Sequence, residues 1–332
     1  MSPRPGARLV DAVLEASVVG SFTRIGYLAR RRLFDWVELG DLRLDGRVAV
    51  VTGATSGLGR VAAELLARQG AAVCLVGRDP ERTERARIEI AAATGAEVES
   101  ELADLSLLAD ADAFARRFAA RHARLDVLVH NAGALTHEYL VTPEGNELTL
   151  ATHVLAPFLL TTELLPLLEA ATPSRVITVA SGGMYTERLD VDALQPTAAT
   201  YDGVRAYARC KRAQVVLAGE WTRRSGATGG CFNAMHPGWS DTPGLRHALP
   251  GFSRVLGPLL RTPLQGADTI AWLASAPEAA RASGQFFLDR RARALHRLRR
   301  TRRPDEANEA ARLWQLCLDR AAVALAASGR VR

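Results

Sequence analysis

The chain has 332 residues, a formal net charge of +6 and 48% hydrophobic residues, with a pI near 9.6. This length and apolar content support a substantial core, in one large domain or two ordinary ones. Four scattered cysteines (Cys74, Cys210, Cys231, Cys317) with no CxxC pair argue against a metal knuckle or a disulfide framework and suit a reducing, cytoplasmic compartment.

Residues 1–45 carry Leu9, Val13, Leu14, Val18, Phe22, Ile25 and Leu28 at roughly helical spacing. Such a segment either lies on a membrane surface, as a peripheral contact, or docks against a core. Asp11 and Glu15, and basic residues crowded at one end, favour docking. No secretory-type apolar run opens the sequence and no stretch of 18 apolar residues occurs, so no transmembrane segment is expected.

From residue 47 short apolar runs alternate with helical stretches. Strands are expected at 47–52, 72–76, 97–102, 126–130, 175–180, 230–235 and 285–288. Helices are expected at 62–69, 81–93, 109–121, 145–170, 204–224 and 306–326. Strands alternating with helices of this length imply right-handed βαβ units and a parallel sheet covered on both faces. The expected fold is α/β, a Rossmann-type doubly wound parallel sheet. It forms a single domain over 46–290, with a helical extension at 1–45 and a basic segment and helix at 291–332. Arginines cluster at 30–32 and 290–303. No aromatic residues interleave with the second cluster, so a solvated surface is favoured over nucleic-acid binding.

The first strand runs into Thr52-Gly53-Ala54-Thr55-Ser56-Gly57-Leu58-Gly59 and then a helix. Glycines in such a turn let the backbone approach a pyrophosphate, whose charge the helix N-terminus stabilises. A second signal is compositional. Of the 42 Lys plus Arg, Lys211 is the one lysine. It follows Tyr207 by four residues, which puts both side chains on one helix face. A cation beside a phenol favours its ionised form, so the pair suits acid/base work. A lone surface lysine beside a half-buried tyrosine would show the same spacing.

The spacing Gly53, Gly57, Gly59 resembles that of the short-chain dehydrogenase/reductase family. The similarity covers residues 46–290 through motifs in the family's order. Asp104-Leu105 matches its adenine-contacting acidic position. His130-Asn131-Ala132-Gly133 matches its Asn-Asn-Ala-Gly motif, with His in first place. Ser181 stands where the family has its catalytic Ser, and Tyr207 and Lys211 fit its YxxxK motif. Pro237-Gly238-Trp239-Ser240-Asp241-Thr242 fits the Pro-Gly segment and Thr that hold the nicotinamide end. Runs such as Ser181-Gly182-Gly183-Met184 and Phe286-Phe287-Leu288-Asp289-Arg290-Arg291 are similar to the subgroup termed dehydrogenase/reductase member 12, which adds no substrate.

The resemblance implies cofactor contacts from Gly53, Thr55, Ser56, Gly57, Leu58, Gly59, Arg78, Asp104, Leu105, Asn131, Ala132, Gly133, Tyr207, Lys211, Pro237, Gly238, Trp239 and Thr242. It implies reversible hydride transfer between a nicotinamide and a carbonyl or alcohol carbon. Tyr207 would be the general acid or base, Lys211 would lower its pKa and bind the ribose, and Ser181 would hold the substrate oxygen. Gly77 stands where NAD-preferring members carry an acid, and Arg78 next to it can pair with a 2′-phosphate. Asp79 weakens that reading but suits a helix cap. NADP is therefore expected, with NAD left open.

The family's fourth catalytic residue is an Asn whose main-chain carbonyl holds a relay water. Here His153 takes that position. Pro157, four residues on, has no N–H to occupy the carbonyl, so the backbone site can survive the change. His153 also keeps open a second reading, a nucleotide-binding regulator that has lost turnover. His122, His137, His236, His247 and His296 lack metal-ligand spacing, so no metal is expected, and His130 suits loop stabilisation. Residues 242–262 carry Leu245, Leu249, Phe252, Val255 and Leu256, which suit a small apolar alcohol or carbonyl substrate or simply pack on the core. A homo-oligomer is left open.

Overall fold

The structure, a computed structural model, describes residues 5–133, 135–226, 230–327 and 329. Its strands are β1 (Val48–Thr52), β2 (Ala72–Gly77), β3 (Val98–Leu102), β4 (Val127–His130), β5 (Arg175–Val179), β6 (Cys231–Met235), β7 (Phe286–Leu288) and β8 (Arg291–Ala292). They form one sheet in the order β3-β2-β1-β4-β5-β6-β7-β8. All neighbours pair in parallel except the short β7–β8 hairpin. Val50 pairs with Cys74 on one side and Leu128 on the other. Strands β1, β2 and β4 are almost wholly buried, because helices cover both faces of a parallel sheet. The strand order reverses between β1 and β4, which opens a crevice at their C-terminal ends.

The helices are α1 (Ala7–Ala16), α2 (Val18–Phe22), α3 (Arg24–Leu33), α4 (Gly57–Arg68), α5 (Pro80–Thr94), α6 (Leu108–Arg121), α7 (Leu148–Leu150), α8 (Ala156–Ala170), α9 (Gly203–Ser225), α10 (Pro243–Ala248), α11 (Pro250–Leu256), α12 (Pro263–Ser275) and α13 (Glu306–Ala327). One face of the sheet is covered by α4, α5 and α12, whose Ala63, Leu66, Ile90 and Ile270 are buried there. The other is covered by α6, α8, α9 and α13. Leu313, Cys317 and Ala321 of α13 face inward at helical spacing, and Trp314 packs on Phe158 and Trp221. The stretch Leu148–Ala170 is long and apolar enough to cross a membrane by length and composition. Here it is a core helix.

The expected strands and helices match the observed ones to within a few residues, apart from the start of the first helix, the helices at 243–275 and the short strand β8. The first helix begins at Gly57, directly on the glycine-rich turn, rather than at 62. Residues 242–262, read as a substrate-facing segment, hold α10 and α11, and α12 follows at once. The extension docks on the core, as favoured, but through its charged side. Arg30 of α3 is fully buried. It bonds Asp11 (2.6 Å) and Glu15 (3.0 Å) of α1, and Asp289 (2.6 Å) just past β7. Asp289 also takes Arg261 at 2.5 Å. The second arginine cluster is largely spent on such pairs. Arg290 pairs with Asp268, Arg293 with Asp11, and Arg297 with Glu15.

Candidate active site

The glycine-rich turn sits at the mouth of the crevice. Gly53 and Gly57 have φ of 64° and 56°, where a side chain is strained. Gly59 is held by close approach instead: a Cβ there would overlap the Gly53 carbonyl and the Asn131 amide. Asn131 Nδ2 ties the turn to β4 by donating to Thr52 O at 3.0 Å. Thr52 Oγ1 in turn accepts from the N–H groups of Asn131 and Ala132. Ser56 precedes α4 in extended conformation, and its side chain does not cap the helix. A Cβ at Gly57 would lie 3.5 Å from Thr242, so the Thr242 loop borders the same turn. Leu58 packs outward, onto Gly266 of α12.

At the end of β2, Gly77 has no room for a side chain, because Thr83 and Thr55 fill that space. An acidic residue is excluded there by packing. Arg78 is exposed and, among the described residues, forms no ion pair. Asp79 caps α5 by accepting from Arg82 N at 2.9 Å, which removes much of its claim on Arg78. The Asp104 carboxylate accepts from Ser106 N and Oγ, and the Leu105 side chain is buried in the core. The side chains of these two residues are thus engaged within the protein.

Ser181 follows β5 and caps a 3-10 turn, accepting from Gly183 N. Tyr207 stands opposite on α9. Burial pushes its pKa up to about 12, and the Ser181 hydroxyl offsets part of that. Lys211 is buried and donates to Val179 O at 2.8 Å, with Nζ 5.3 Å from the Tyr207 ring centre. Burial lowers its pKa to about 7. Desolvation thus dominates both groups and moves them in opposite directions.

His153 is buried, its ring edge-on to Tyr207 at 5.3 Å. Its face lies so close to Gly133 that a Cβ there would overlap the imidazole. The helix widens to a π-turn at Ala151–Leu155, which fits the missing N–H of Pro157. The His153 carbonyl is not left to solvent, however. Gln214, three residues after Lys211, donates to it from Nε2 at 2.7 Å. Nothing in the sequence singled out Gln214, because a glutamine on a helix carries no signature. Replacing Gln214 with Leu should lower stability by about 1–3 kcal/mol, the cost of an unsatisfied buried carbonyl. A thermal melt checks this, and an unchanged midpoint would remove the bond from the account.

Beside this group lies a small pocket lined by His130, His153, Thr161, Thr178, Gln214 and Asn233 among others. Thr161 Oγ1 donates to Pro157 O and also bonds His130 Nε2, each at 2.8 Å. A hydroxyl has one hydrogen, so His130 donates from Nε2. Burial pushes its pKa to about 3 and keeps it neutral, and its bond ties β4 to α8 rather than to the loop that follows β4.

The Pro237–Thr242 loop closes the other side. Gly238 has φ 69° and lies against Arg261 and the Phe22 carbonyl. Trp239, expected at the cofactor, packs instead between Phe22 of the extension and Phe252, with ring centres at 5.7 and 5.0 Å. Its N–H donates to Phe22 O. Phe22 also lies against Gly182. The extension therefore buttresses both loops that flank the tyrosine. Of the five apolar residues expected near substrate, Leu245, Leu249, Phe252 and Leu256 are half-buried and Val255 points to solvent. The described residues hold no cluster of three metal-ligating side chains.

Residues 47–249 match the family model described as short chain dehydrogenase. Bovine (Bos taurus) dehydrogenase/reductase SDR family member 12 is 42% identical over 277 residues, 83% of this chain and 86% of the relative. Mouse (Mus musculus) retinol dehydrogenase 14 is 35% identical over 264 residues, 74% of this chain and 78% of the relative. Among solved structures, a short chain dehydrogenase from Burkholderia cenocepacia in complex with NADP superposes with a TM-score of 0.61. It is 26% identical over 74% of this chain and 96% of that one.

Proposed function

The chain belongs to the short-chain dehydrogenase family, and we propose that it is an NADP(H)-dependent oxidoreductase interconverting an alcohol with a ketone or aldehyde. The observation that carries this reading is the meeting of Ser181, Tyr207 and Lys211 beside the crevice, next to a glycine turn with two left-handed residues. The turn at Gly53–Gly59 and the first N–H groups of α4 would hold the pyrophosphate. Arg78 would hold the 2′-phosphate, and Lys211 the nicotinamide ribose. When bound, the dinucleotide supplies or accepts the hydride.

The protein's own part is proton transfer and positioning. A phenol pushed up to about 12 keeps its proton at neutral pH, which suits Tyr207 as a donor to the substrate oxygen during carbonyl reduction. Ser181 Oγ holds that oxygen by a hydrogen bond. Lys211 places a compact cation on the phenol side, and its partial charge at pH 7 responds to any neighbouring anion. We assign a small apolar substrate to the surface formed by Leu245, Leu249, Phe252 and Leu256, and a cytoplasmic location consistent with four free, buried cysteines.

A turnover screen of ketones, aldehydes and alcohols with both nicotinamide cofactors tests the assignment. Turnover of at least one carbonyl supports it. The second reading, a regulator that binds nucleotide without turnover, is favoured by one observation, the His153 carbonyl already held by Gln214. Tight cofactor binding with no turnover across the screen would select it.

Cofactor choice has its own test. Arg78→Ala should raise the Kd for NADPH by roughly 10- to 100-fold, the loss of one charge-assisted bond. The Kd for NADH should stay nearly constant, since Arg78 has no second partner to lose among the described residues. Fluorescence titration of both cofactors against both proteins reads this. Equal losses would show that Arg78 does not read the 2′-phosphate.

A further inference from the structure

The amino-terminal helices are turned inside out relative to an ordinary surface helix. On α1, Asp11 is buried and Glu15 half-buried, both facing the arginines of the core. The opposite side exposes Leu9 at 73% and Val13 at 65%. Helix α3 repeats the pattern. It buries Gly26, Tyr27 and Arg30 and exposes Ile25 and Leu28. Between them α2 exposes Val18 and Val19. A surface helix normally buries its apolar stripe; here Ala7, Phe22 and Tyr27 are buried while most of the aliphatic residues meet solvent.

The charge within α1–α3 is one-sided, although exposed Asp35 and Glu38 follow directly and Glu38 pairs with Arg31. Asp11 and Glu15 are the sole acidic residues in positions 1–34, and both are consumed by ion pairs with Arg30, Arg293 and Arg297. Arg8, Arg24 and Arg32 remain exposed. Arg24 sits beside Ile25, and Arg32 lies one turn from Leu28, on the same side of α3. The two acids that spoke against a membrane element in the sequence are therefore hidden from the surface they would have repelled.

We propose that α1–α3 form a monotopic membrane-binding face that lies on an anionic lipid surface. The exposed aliphatic residues of these helices enter the headgroup boundary and the arginines meet lipid phosphates and carboxylates. The buried ion pairs of Asp11, Arg30 and Asp289 keep the apolar side outward, so the face is built into the folded protein. It borders the substrate region, because Phe22 of the same hairpin packs on Trp239 and Arg24 reaches Pro258 O.

Flotation of the full chain with two vesicle types tests this: phosphatidylcholine alone, and phosphatidylcholine with about one-third phosphatidylserine. The expected result is recovery with the anionic vesicles and much less with the neutral ones. In the double variant Leu9→Glu/Val13→Glu the bound fraction should fall by about fivefold or more, with the thermal midpoint unchanged because both side chains already face solvent. If that variant proves unstable, Ile25→Glu/Leu28→Glu on α3 makes the same test. Wild-type protein that stays at the bottom with both vesicles would overturn the proposal, as would a folded double variant that floats like wild type. A wild-type dimer in sedimentation velocity that the variant breaks, with no vesicle binding, would reassign the face to a second copy of this chain. Equal flotation on both vesicle types would overturn the anionic preference.

Discussion

Tyr207→Phe should lower kcat by about 100- to 10,000-fold, the range that a positioned acid or base contributes. The Kd for NADPH should stay within about twofold. The change removes one oxygen and little else. The ring is half-buried, and its edge-on packing against His153 survives the substitution. What is lost is a proton that burial holds on the phenol up to about pH 12, beside the Ser181 hydroxyl. A variant that folds, binds cofactor and fails to turn over isolates that proton as the missing part. Stopped-flow or steady-state assays with a substrate from the screen measure it. Unchanged kcat would remove Tyr207 as the acid and leave the pair with Lys211 a packing contact.

How much of this was legible in the sequence follows from where the physics is local. The strands appear as nearly unbroken apolar runs, such as Val48-Ala49-Val50-Val51, because both faces of the sheet are covered. The dinucleotide turn is legible because only glycine meets its backbone angles and close approaches at Gly53, Gly57 and Gly59. The helices between 243 and 275 were not expected; Pro243, Gly244, Pro250, Gly251 and Pro263 interrupt any helical periodicity there. Yet Thr262-Pro263-Leu264-Gln265 is a helix start, with a capping box between Thr262 and Gln265. That signal was available.

The rest is long-range and has no local mark. Asp289 joins Arg30 and Arg261, and the first of these partners lies 259 positions away. No spacing rule connects them. The same network inverts the extension. Apolar periodicity at 1–45 could not say that the charged side faces inward, because that depends in part on arginines contributed by the other end of the chain. Gln214 is the matching case within the site. Its importance comes from the π-turn that brings the His153 carbonyl to it, a geometry that Pro157 hints at and the glutamine itself does not.

The second large effect concerns Lys211, and it has two readouts of opposite sign. Lys211→Met should lower kcat/KM by about 100-fold or more, equal to roughly 2.7 kcal/mol of transition-state stabilisation, because no cation then stands by the phenol. Lys211→Arg keeps the charge but should still lose at least about tenfold, since a planar guanidinium cannot copy a compact ammonium that fits behind the tyrosine and donates to Val179 O. Stability should move the other way. The folded-state pKa near 7 lies below the ordinary 10.5, so between those values the unfolded chain binds more protons. The cost of the buried ammonium is then fully present below about pH 7 and is relieved as pH rises toward 10.5. The methionine variant carries no such cost. It should melt higher than wild type at pH 6, by a margin worth a few kcal/mol, and that margin should shrink steadily between pH 7 and 10. Comparing the two proteins at each pH cancels the groups that titrate alike in both, and Tyr207, pushed up to about 12, keeps its proton throughout that range. A margin that is absent at pH 6, or constant with pH, would mean that Lys211 is not held as a strained buried cation. The single lysine among 41 arginines would then have lost the physical reason for its exception.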